Sequence, residues 1–476
     1  MSFSRLTSGF LSRVVSQGST LVLLVLGAQF LTPAEFGIYT LASIAVALAN
    51  VFLFSGAYEQ VLRSDNLERD GPLALSTLVL TAFLAAVILL SAGWILQYGE
   101  TTGAFGRLLQ WFSVVPLLAA TAAWREAVFL RAPANLTTYF KIAVLRDLAA
   151  LVLGAGLLFW GLGLWAMVIY RISLAAFGYL AFYGVQRRMC PGARDPAEIF
   201  PLLFRSMPLT GSRLLSFLSN NGMDVAVGVF LSPAAVGIYR MASRFVLAVY
   251  DIVCQPMMKH AWVHMAEETR MGLTGHPSLR RAQGFSLILV ACACMYLTVG
   301  RTELVDLILG PQWASVAPLI PLFSAAALFT ALGQFVEPVL SLRNQGPALF
   351  RLRLGTTLLL MGAVASGAYL AQLDGAAFAR LGGAAWAALA FWWGMWRWGG
   401  IPLALAREAL IVAAGTALLC LAVGLAIFQM PLNAYWRLGI HAFATVAVAM
   451  LLVWCYTRYQ AKTAPDSRAR APSTDH

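Results

Sequence analysis

The stretch FLTPAEFGIY, residues 30–39, recurs 200 residues later as FLSPAAVGIY, residues 230–239. The two copies agree at seven of ten positions. In each copy a Thr or Ser hydroxyl can cap the helix that follows. The proline after it suits the first helical turn, where no backbone donor is needed. The stretch therefore predicts a tight turn between two helices, and its repetition predicts two related halves.

The composition places these halves in a membrane. The chain has 476 residues, of which 60% are hydrophobic and 11% are charged, against about 25% charged in an average soluble domain. Apolar runs of about 20 residues, enough to cross a bilayer, recur along the whole chain. The first run, residues 14–31, lacks a small-residue cleavage site, so we expect it to stay in the mature protein.

We therefore predict an all-α polytopic membrane protein with about 14 transmembrane helices. The expected helices span residues 12–31, 36–62, 73–97, 105–130, 142–160, 163–184, 204–230, 236–263, 282–308, 315–341, 351–372, 377–396, 404–428 and 436–457. The expected division is an N-terminal six-helix bundle at 1–200, a C-terminal six-helix bundle at 201–400, two accessory helices at 401–458 and a disordered cytoplasmic tail at 459–476.

The repeat extends into the helices on both sides of the quoted turn. At a shift of 200 residues, 14 of the 32 positions between residues 12 and 43 are identical, including Arg13 with Arg213. A weaker echo at a shift of 211 residues places Glu126 on Glu337. Because six expected helices separate the two turns, both turns face the same side of the membrane. The two bundles are therefore predicted to be parallel repeats, as in two-bundle transporters.

The basic charge of the chain indicates its orientation in the membrane. Of the 33 Lys and Arg residues, 24 fall on one side of the expected spans, 5 on the other and 4 within them. Basic residues collect on the cytoplasmic side, so we expect both termini in the cytoplasm of a bacterial inner membrane. The net charge of +12 is thus a topology signal, and nucleic acid is not an expected partner.

Two longer stretches carry a family resemblance. They are LTPAEFGIYTLASIAVALANVFLFSGAYEQVLR, residues 31–63, and ILGPQWASVAPLIPLFSAAALFTALGQFVEPVLSLR, residues 308–343. Together with the two parallel bundles, they resemble the polysaccharide transporter family. Its members are the Wzx-type lipid-linked oligosaccharide flippases of the multidrug/oligosaccharidyl-lipid/polysaccharide exporter superfamily. The resemblance covers residues 1–400.

The resemblance implies a flippase that moves a polyprenyl-diphosphate-linked oligosaccharide across the cytoplasmic membrane by alternating access, coupled to an ion gradient. Such a flippase serves the synthesis of O-antigen, capsule or exopolysaccharide. The implied partners are the lipid-linked oligosaccharide, membrane lipids and a polysaccharide polymerase with its chain-length machinery.

Two other classes of membrane protein stay open at this point. A multidrug or cation exporter of the same superfamily would need a net acidic cavity, whereas acids and bases are balanced here. An integral-membrane glycan polymerase or glycosyltransferase would need a sizeable outer loop or an acidic motif near the membrane surface. No long outer loop is expected, and no Gly-Lys dipeptide is present to build an ATPase phosphate loop. We therefore expect no enzyme activity and no cofactor.

A metal site is weighed and not expected. His260, His264 and Glu267 share one helix face at spacings of four and three. A zinc site on such a face is conceivable. Because this segment ends a predicted span, solvated side chains at the membrane interface are the simpler interpretation.

Polar stripes mark the seventh and eighth expected helices. Ionisable residues inside a membrane are costly, so each one is a candidate functional residue. On each helix the polar residues fall within about 40° of one another. In chain order they are Arg213, Asn220, Asp224, Arg240, Arg244 and Asp251. In one alternative the stripes form the pairs Asp224–Arg244 and Arg213–Asp251. In the other they line a substrate cavity between the bundles.

Arg13 and Arg213 are related by the repeat and lie near the cytoplasmic face. Either both side chains snorkel to the headgroups, or both grip a diphosphate through the bidentate guanidinium fork. The intramembrane set is completed by Arg146 and Asp147, among others. The candidate substrate-binding residues are Arg13, Arg213, Asn220, Asp224, Arg240, Arg244, Asp251, Arg125 and Arg171, and the candidate ion-coupling residues are Glu126, Glu337, Asp224 and Asp251.

Overall fold

The structure, a computed structural model, describes the backbone of residues 3–53, 56–64, 66–99, 102–132, 135–186, 199–271 and 277–463. Within these ranges, the side chains of residues 3–14, 17, 63, 199–200, 202–209 and 461–463 lie outside the description. By its internal contacts the chain divides into two units, residues 1–240 with 308–313 and residues 241–307 with 314–476. The predicted division at residues 200, 400 and 458 stays a prediction.

All regular elements of the described ranges are helices. The first nine are α1 (Phe3–Phe30), α2 (Pro33–Leu53), α3 (Ala57–Arg63), α4 (Leu67–Leu96), α5 (Gly103–Phe112), α6 (Val114–Leu130), α7 (Leu136–Phe159), α8 (Leu164–Val185) and α9 (Ile199–Phe230). In the first unit, α1 packs on α7, α8 packs on both α6 and α7, and α4 packs on α5 and α6.

The chain continues as α10 (Pro233–Arg270), α11 (Pro277–Val299), α12 (Arg301–Ile308), a 3-10 helix (Pro311–Leu319), α13 (Ile320–Gly333), α14 (Val336–Leu342), α15 (Gly346–Arg397), α16 (Leu403–Phe428) and α17 (Ala434–Thr463). In the second unit, α11 packs on α13, α16 and α17, and α15 packs on α13 and α14. Of the predicted tail at 459–476, residues up to Thr463 continue α17 and the rest lie outside the described residues.

The all-α membrane class is confirmed. Ten helical segments of the described part of the chain are long and apolar enough to cross a membrane. Large apolar side chains such as Ile88, Trp94 and Leu145 are exposed on their surfaces, as expected where lipid replaces water as the solvent. The exact number of fourteen helices stays a prediction.

Several predicted helices are broken. The predicted second helix, residues 36–62, is wrong as a single element, because a break separates Leu53 from Ala57. Gly56 has a φ of +82° in this break, a conformation that glycine adopts without strain. The predicted ninth helix is likewise divided, at Gly300. The predicted fourth helix is confirmed as one segment, Gly103–Leu130, in which Ser113 between α5 and α6 keeps helical backbone angles.

The predicted boundary between two helices near residue 372 is a bend within one long helix. The predicted helices 351–372 and 377–396 belong to one run of 52 residues, α15. Ala371 and Gln372 have non-helical backbone angles there, and they divide α15 into two arms close to the predicted boundary. Gly367 and Gly375 face each other across this bend, since a side chain on either would meet the backbone of the other.

The predicted caps of the repeated turn are confirmed. In the first copy, the Thr32 backbone N–H donates to Glu35 Oε2 at 2.9 Å, and the Glu35 N–H donates to Thr32 Oγ1 at 3.3 Å. These two bonds form the capping box. In the second copy, the Ala235 N–H donates to Ser232 Oγ at 3.3 Å. The methyl group of Ala235 cannot accept a bond from the Ser232 N–H, so this copy has one of the two bonds of a capping box.

The two copies of the turn lie against each other within the first unit. A Cβ atom added to Gly37 would overlap the carbonyl group of Pro233 and lie 3.1 Å from the backbone N of Gly237. A Cβ atom added to Gly237 would overlap the carbonyl oxygen of Pro33 and lie 3.1 Å from the backbone N of Gly37. The contact is therefore reciprocal and backbone to backbone, and it accounts for glycine at this position of both copies.

Helices α16 and α17 contact α11 through a cluster of polar side chains in the second unit. Arg280 Nε donates to both carboxylate oxygens of Glu408, at 2.9 and 2.8 Å, and its Nη2 lies 2.8 Å from Oε2. The Tyr456 hydroxyl donates to the Arg280 carbonyl at 3.0 Å. One arginine thus links three helices.

Candidate functional site

The short helix α3 positions the candidate site. Ala57 and Val61 are buried on α4 and α6 in a core that includes Leu53 and Trp124. The Arg131 guanidinium donates to the Val61 carbonyl at 2.7 Å. The last carbonyl groups of a helix have no partner within the helix, and this bond supplies one for α3. These contacts hold α3 in place on α4 and α6.

Arg213 on α9 forms an ion pair with Glu59 on α3. Its Nη2 lies 2.8 Å from Glu59 Oε1. The Arg213 side chain is 38% exposed and the Glu59 side chain is 20% exposed, so the pair is partly exposed. In the pairing alternative the partner of Arg213 was Asp251, whereas the structure gives Glu59 of α3. The alternative of a substrate cavity stays a prediction.

Glu126 on α6 is held by two tyrosine hydroxyl groups. Tyr58 on α3 donates to Glu126 Oε1 at 3.1 Å, and Tyr139 on α7 donates to the same oxygen at 3.2 Å. Arg146, also on α7, interacts electrostatically with the Glu126 carboxylate. A carboxylate inside a membrane helix thus has donors from two neighbouring helices, which offsets part of its desolvation.

The Arg213 pair and the Glu126 cluster are adjacent. Tyr58 and Glu59 are consecutive residues of α3, and Tyr58 also interacts electrostatically with Arg213. At the other end, Arg146 Nε donates to Asp147 Oδ1 at 2.9 Å. These side chains form a polar cluster that runs from α9 through α3 and α6 to α7, which we call the unit-1 cluster. Its members are Arg213, Glu59, Tyr58, Glu126, Tyr139, Arg146 and Asp147.

Asp224 on α9 pairs with Arg240 on α10. In the pairing alternative the partner was Arg244, and the structure corrects this partner to Arg240. The physical reason is the start of α10, which lies at Pro233 and not at residue 236. Asp224 and Arg240 then lie about 9 and about 10 Å from the turn, at a rise of about 1.5 Å per residue, whereas Arg244 lies a full turn deeper. Asp224 is 3% exposed, so the pair is buried.

The other three residues of the two stripes differ in exposure. Asn220 is exposed on α9, and Arg244 and Asp251 are half-buried on α10. Arg244 and Asp251 both take part in interactions. The side chain of Arg13 lies outside the described residues, although its backbone belongs to α1. The predicted equivalence of Arg13 and Arg213 therefore stays a prediction.

Arg125 belongs to α6, and its guanidinium contacts the C-terminal end of α8. It is 3% exposed, and its Nη1 donates to the Gln186 carbonyl at 2.6 Å. The Tyr183 ring centre lies 4.6 Å from the guanidinium carbon, close enough for a cation–π interaction. A cation at a helix C terminus is also favourable to the helix dipole. Arg171 is half-buried on α8, and its assignment to the site stays a prediction.

The second repeat holds a comparable acid–partner contact. Glu337 on α14 forms an ion pair with Arg353 on α15, at 2.6 Å. In the first repeat, Glu126 likewise bonds to a side chain of the helix that follows it, Tyr139. Glu126 and Glu337, which the weaker sequence echo aligns, therefore each contact a side chain of the following helix. The partner is a tyrosine for Glu126 and an arginine for Glu337.

Three members of the unit-1 cluster were missed by sequence reasoning: Tyr58, Glu59 and Tyr139. The dipeptide Ser55-Gly56 is a turn signal and would have indicated the break before α3. Glu59 also lies within the predicted second span, residues 36–62, where a carboxylate is a candidate functional residue. Tyr139 carries no such signal. For metals, no group of three or more His, Cys, Asp or Glu residues in the described part of the chain is arranged to hold an ion.

This arrangement of long apolar helices with charged pairs between them defines a polytopic membrane protein. The chain belongs to a family described as "Polysaccharide biosynthesis protein", whose match covers residues 26–318.

Two named relatives are distant in sequence. The lipopolysaccharide biosynthesis protein WzxC of Escherichia coli (strain K12) is 23% identical over 386 residues, 77% of this chain and 75% of that protein. The amylovoran biosynthesis protein AmsL of Erwinia amylovora is 22% identical over 264 residues, 54% of this chain. The match spans 66% of the length of AmsL, just under two thirds.

Among solved structures, the fold is similar to that of the lipid II flippase MurJ in an inward closed conformation. The TM-score is 0.74 at 14% identity, over 96% of this chain and 99% of that chain. At this identity the likeness shows the fold alone.

Proposed function

We propose that this protein is a flippase. It translocates a polyprenyl-diphosphate-linked oligosaccharide across a bacterial cytoplasmic membrane, by alternating access, for the synthesis of O-antigen, capsule or exopolysaccharide. The observation that carries the proposal is the partly exposed guanidinium of Arg213 on α9, in a multi-pass membrane chain that belongs to a polysaccharide biosynthesis family.

The chemistry of the substrate requires such a group. A diphosphate loses its hydration when it enters hydrocarbon, and the loss is very costly for a charged group. A guanidinium replaces part of that hydration with charge-assisted bonds to two phosphate oxygens at once. The lipid tail stays in the bilayer throughout. Arg213, and Arg13 at the matching position of α1, are therefore the proposed diphosphate contacts.

The remaining assignments follow the same proposal. Asn220, Arg240, Arg244, Arg125 and Arg171 remain proposed substrate contacts. The proposed carriers of a coupling ion are Glu126, Glu337, Asp224 and Asp251, and Glu126 is supported by its two tyrosine donors.

Both termini are proposed to be cytoplasmic. A polysaccharide polymerase with its chain-length machinery is a proposed partner, and transport without catalysis is the proposed activity. Membership of the polysaccharide family favours this proposal over a cation exporter or a membrane glycosyltransferase.

The test is a flipping assay with purified protein in proteoliposomes. The probe is a fluorescently labelled polyprenyl diphosphate N-acetylglucosamine, and a membrane-impermeant quencher reports the fraction in the outer leaflet. Arg213→Ala should slow flipping by roughly tenfold or more, because a loss of about 1.4 kcal/mol in binding is a factor of ten. Arg213→Lys should recover part of the rate, since an ammonium group lacks the planar fork.

The matched control is Arg69→Ala, which removes an exposed arginine from the first turn of α4 and should leave the rate unchanged. Wild-type protein that flips no faster than empty vesicles would refute the flippase. Normal flipping by Arg213→Ala would refute the diphosphate contact alone. Selective transport of ethidium, a lipophilic cation, would instead support the multidrug exporter.

A further inference from the structure

Glu59 contacts the residue to which diphosphate binding is assigned. Its Oε1 lies 2.8 Å from Arg213 Nη2. Carboxylates and phosphates bind the guanidinium group through the same N–H donors and the same planar fork. A diphosphate that approaches this edge of Arg213 therefore meets a donor that Glu59 already occupies.

We propose that Glu59 is a built-in competitor of the diphosphate. Its carboxylate occupies Arg213 when no substrate is bound, is displaced by the phosphate oxygens, and returns to Arg213 as the substrate leaves. The inference rests on the proposed flippase function and assigns a role to a residue outside the expected set. A site along a transport path must bind well enough for the substrate to enter and weakly enough for it to leave, and Glu59 supplies the second property.

The backbone around Glu59 supports exchange by the side chain alone. Helix α3 is anchored by Ala57 and Val61 in the core and by the bond from Arg131 to the Val61 carbonyl. The neighbouring Tyr58 bonds to Glu126. The Glu59 side chain is 20% exposed and the Arg213 side chain 38% exposed. Exchange at Arg213 therefore needs movement of the partly exposed Glu59 side chain and no movement of α3.

The first measurement is the affinity of purified protein for the polyprenyl diphosphate N-acetylglucosamine probe. Glu59→Gln keeps the size of the side chain and removes its charge. We expect the dissociation constant to fall by about fivefold, because a partly exposed ion pair contributes up to about that factor. Glu59→Asp keeps the charge on a shorter chain and should give an intermediate value.

The second measurement is the flipping rate in proteoliposomes at saturating probe. Glu59→Gln should flip about threefold more slowly at saturation, because release is slowed when the competitor is absent. Tighter binding together with a lower maximal rate is a combination that damage to the fold does not produce. The melting temperature in detergent should stay within a few degrees of the wild type.

Two controls separate competition at Arg213 from a general loss of negative charge. Glu68→Gln removes the same charge from an exposed position in the first turn of α4 and should leave the dissociation constant unchanged. In an Arg213→Ala background, Glu59→Gln should have no further effect, because the competitor then has no site to occupy.

The outcomes are distinct for the two proposals. Weaker binding by Glu59→Gln would show that Glu59 orients Arg213 for the substrate and would overturn the competitor role. Unchanged binding, or the same gain in the Arg213→Ala background, would overturn it as well. In each of these cases wild-type flipping leaves the flippase intact, whereas absent wild-type flipping and binding would refute the proposed function itself.

Discussion

Asp224 and Arg240 show how a charge is accommodated inside this chain. Their side chains are 4% and 14% exposed, so each is removed from water almost completely. Burial of two charges is costly, and their mutual attraction offsets the cost only while both are present. Removal of one partner leaves the other buried without compensation.

Asp224→Ala should therefore lower the free energy of unfolding by about 3–5 kcal/mol, measured as thermal unfolding in detergent. The swap of Asp224→Arg with Arg240→Asp should recover most of this stability. Asn220→Ala, at an exposed position of the same helix, should leave unfolding nearly unchanged.

Flipping by the swapped protein then decides between the two roles of the pair. Recovered flipping would identify a structural pair. Recovered stability without flipping would place the pair on the substrate path, because the positive charge has moved. An unchanged melting temperature in Asp224→Ala would contradict the buried pair.

The two copies of the repeated turn place the first turns of α2 and α10 against each other. Each of the two glycines, Gly37 and Gly237, faces the backbone of the other copy. A methyl group there would meet a carbonyl oxygen of a helix start, which cannot rotate away as a side chain can. The helices have to separate to accept it.

Gly37→Ala and Gly237→Ala should each destabilise the protein by about 1–3 kcal/mol, as overpacking does. Their effects should add less than fully in the double variant, because both substitutions open one contact. Thermal unfolding of the four proteins measures this.

Gly156→Ala is the matched control. It lies within α7 and has no atom within 4 Å of an added Cβ. Alanine is favoured over glycine in a helix interior by about 1 kcal/mol, so this variant should be as stable as the wild type or more stable. Destabilisation in the control and none at Gly37 would contradict the proposed contact.

Charge asymmetry acts on the whole molecule. With 24 basic residues on one side of the expected spans and 5 on the other, the rule that basic residues stay in the cytoplasm predicts one orientation. The parallel repeat adds that both copies of the turn face the same side.

Reporter fusions test this orientation. A reporter that is active only in the periplasm should be active after Leu31 and after Leu231 and silent after Arg188. Opposite activities at Leu31 and Leu231 would contradict the parallel repeat. Activity after Arg188 with silence at both turns would reverse the whole topology.

Much of this protein follows from its sequence alone. Long apolar runs determine the all-α membrane class, since helices satisfy their own backbone groups in lipid. The repeat placed the capped turns at residues 32–35 and 232–235, because a cap depends on residues within one helical turn of one another. The polar residues of α9 and α10 were found for the same reason, as their cost in a membrane is visible in the sequence.

Tertiary structure alone decided which of these polar residues meet. The partner of Arg213 is 154 residues away and that of Tyr58 is 68 residues away. Periodicity gives the angle of a side chain about its own helix axis, but not the rotation and height of the neighbouring helix. The helix start after Gly56 places Glu59 beside Arg213, and the helix start at Pro233 places Arg240 beside Asp224.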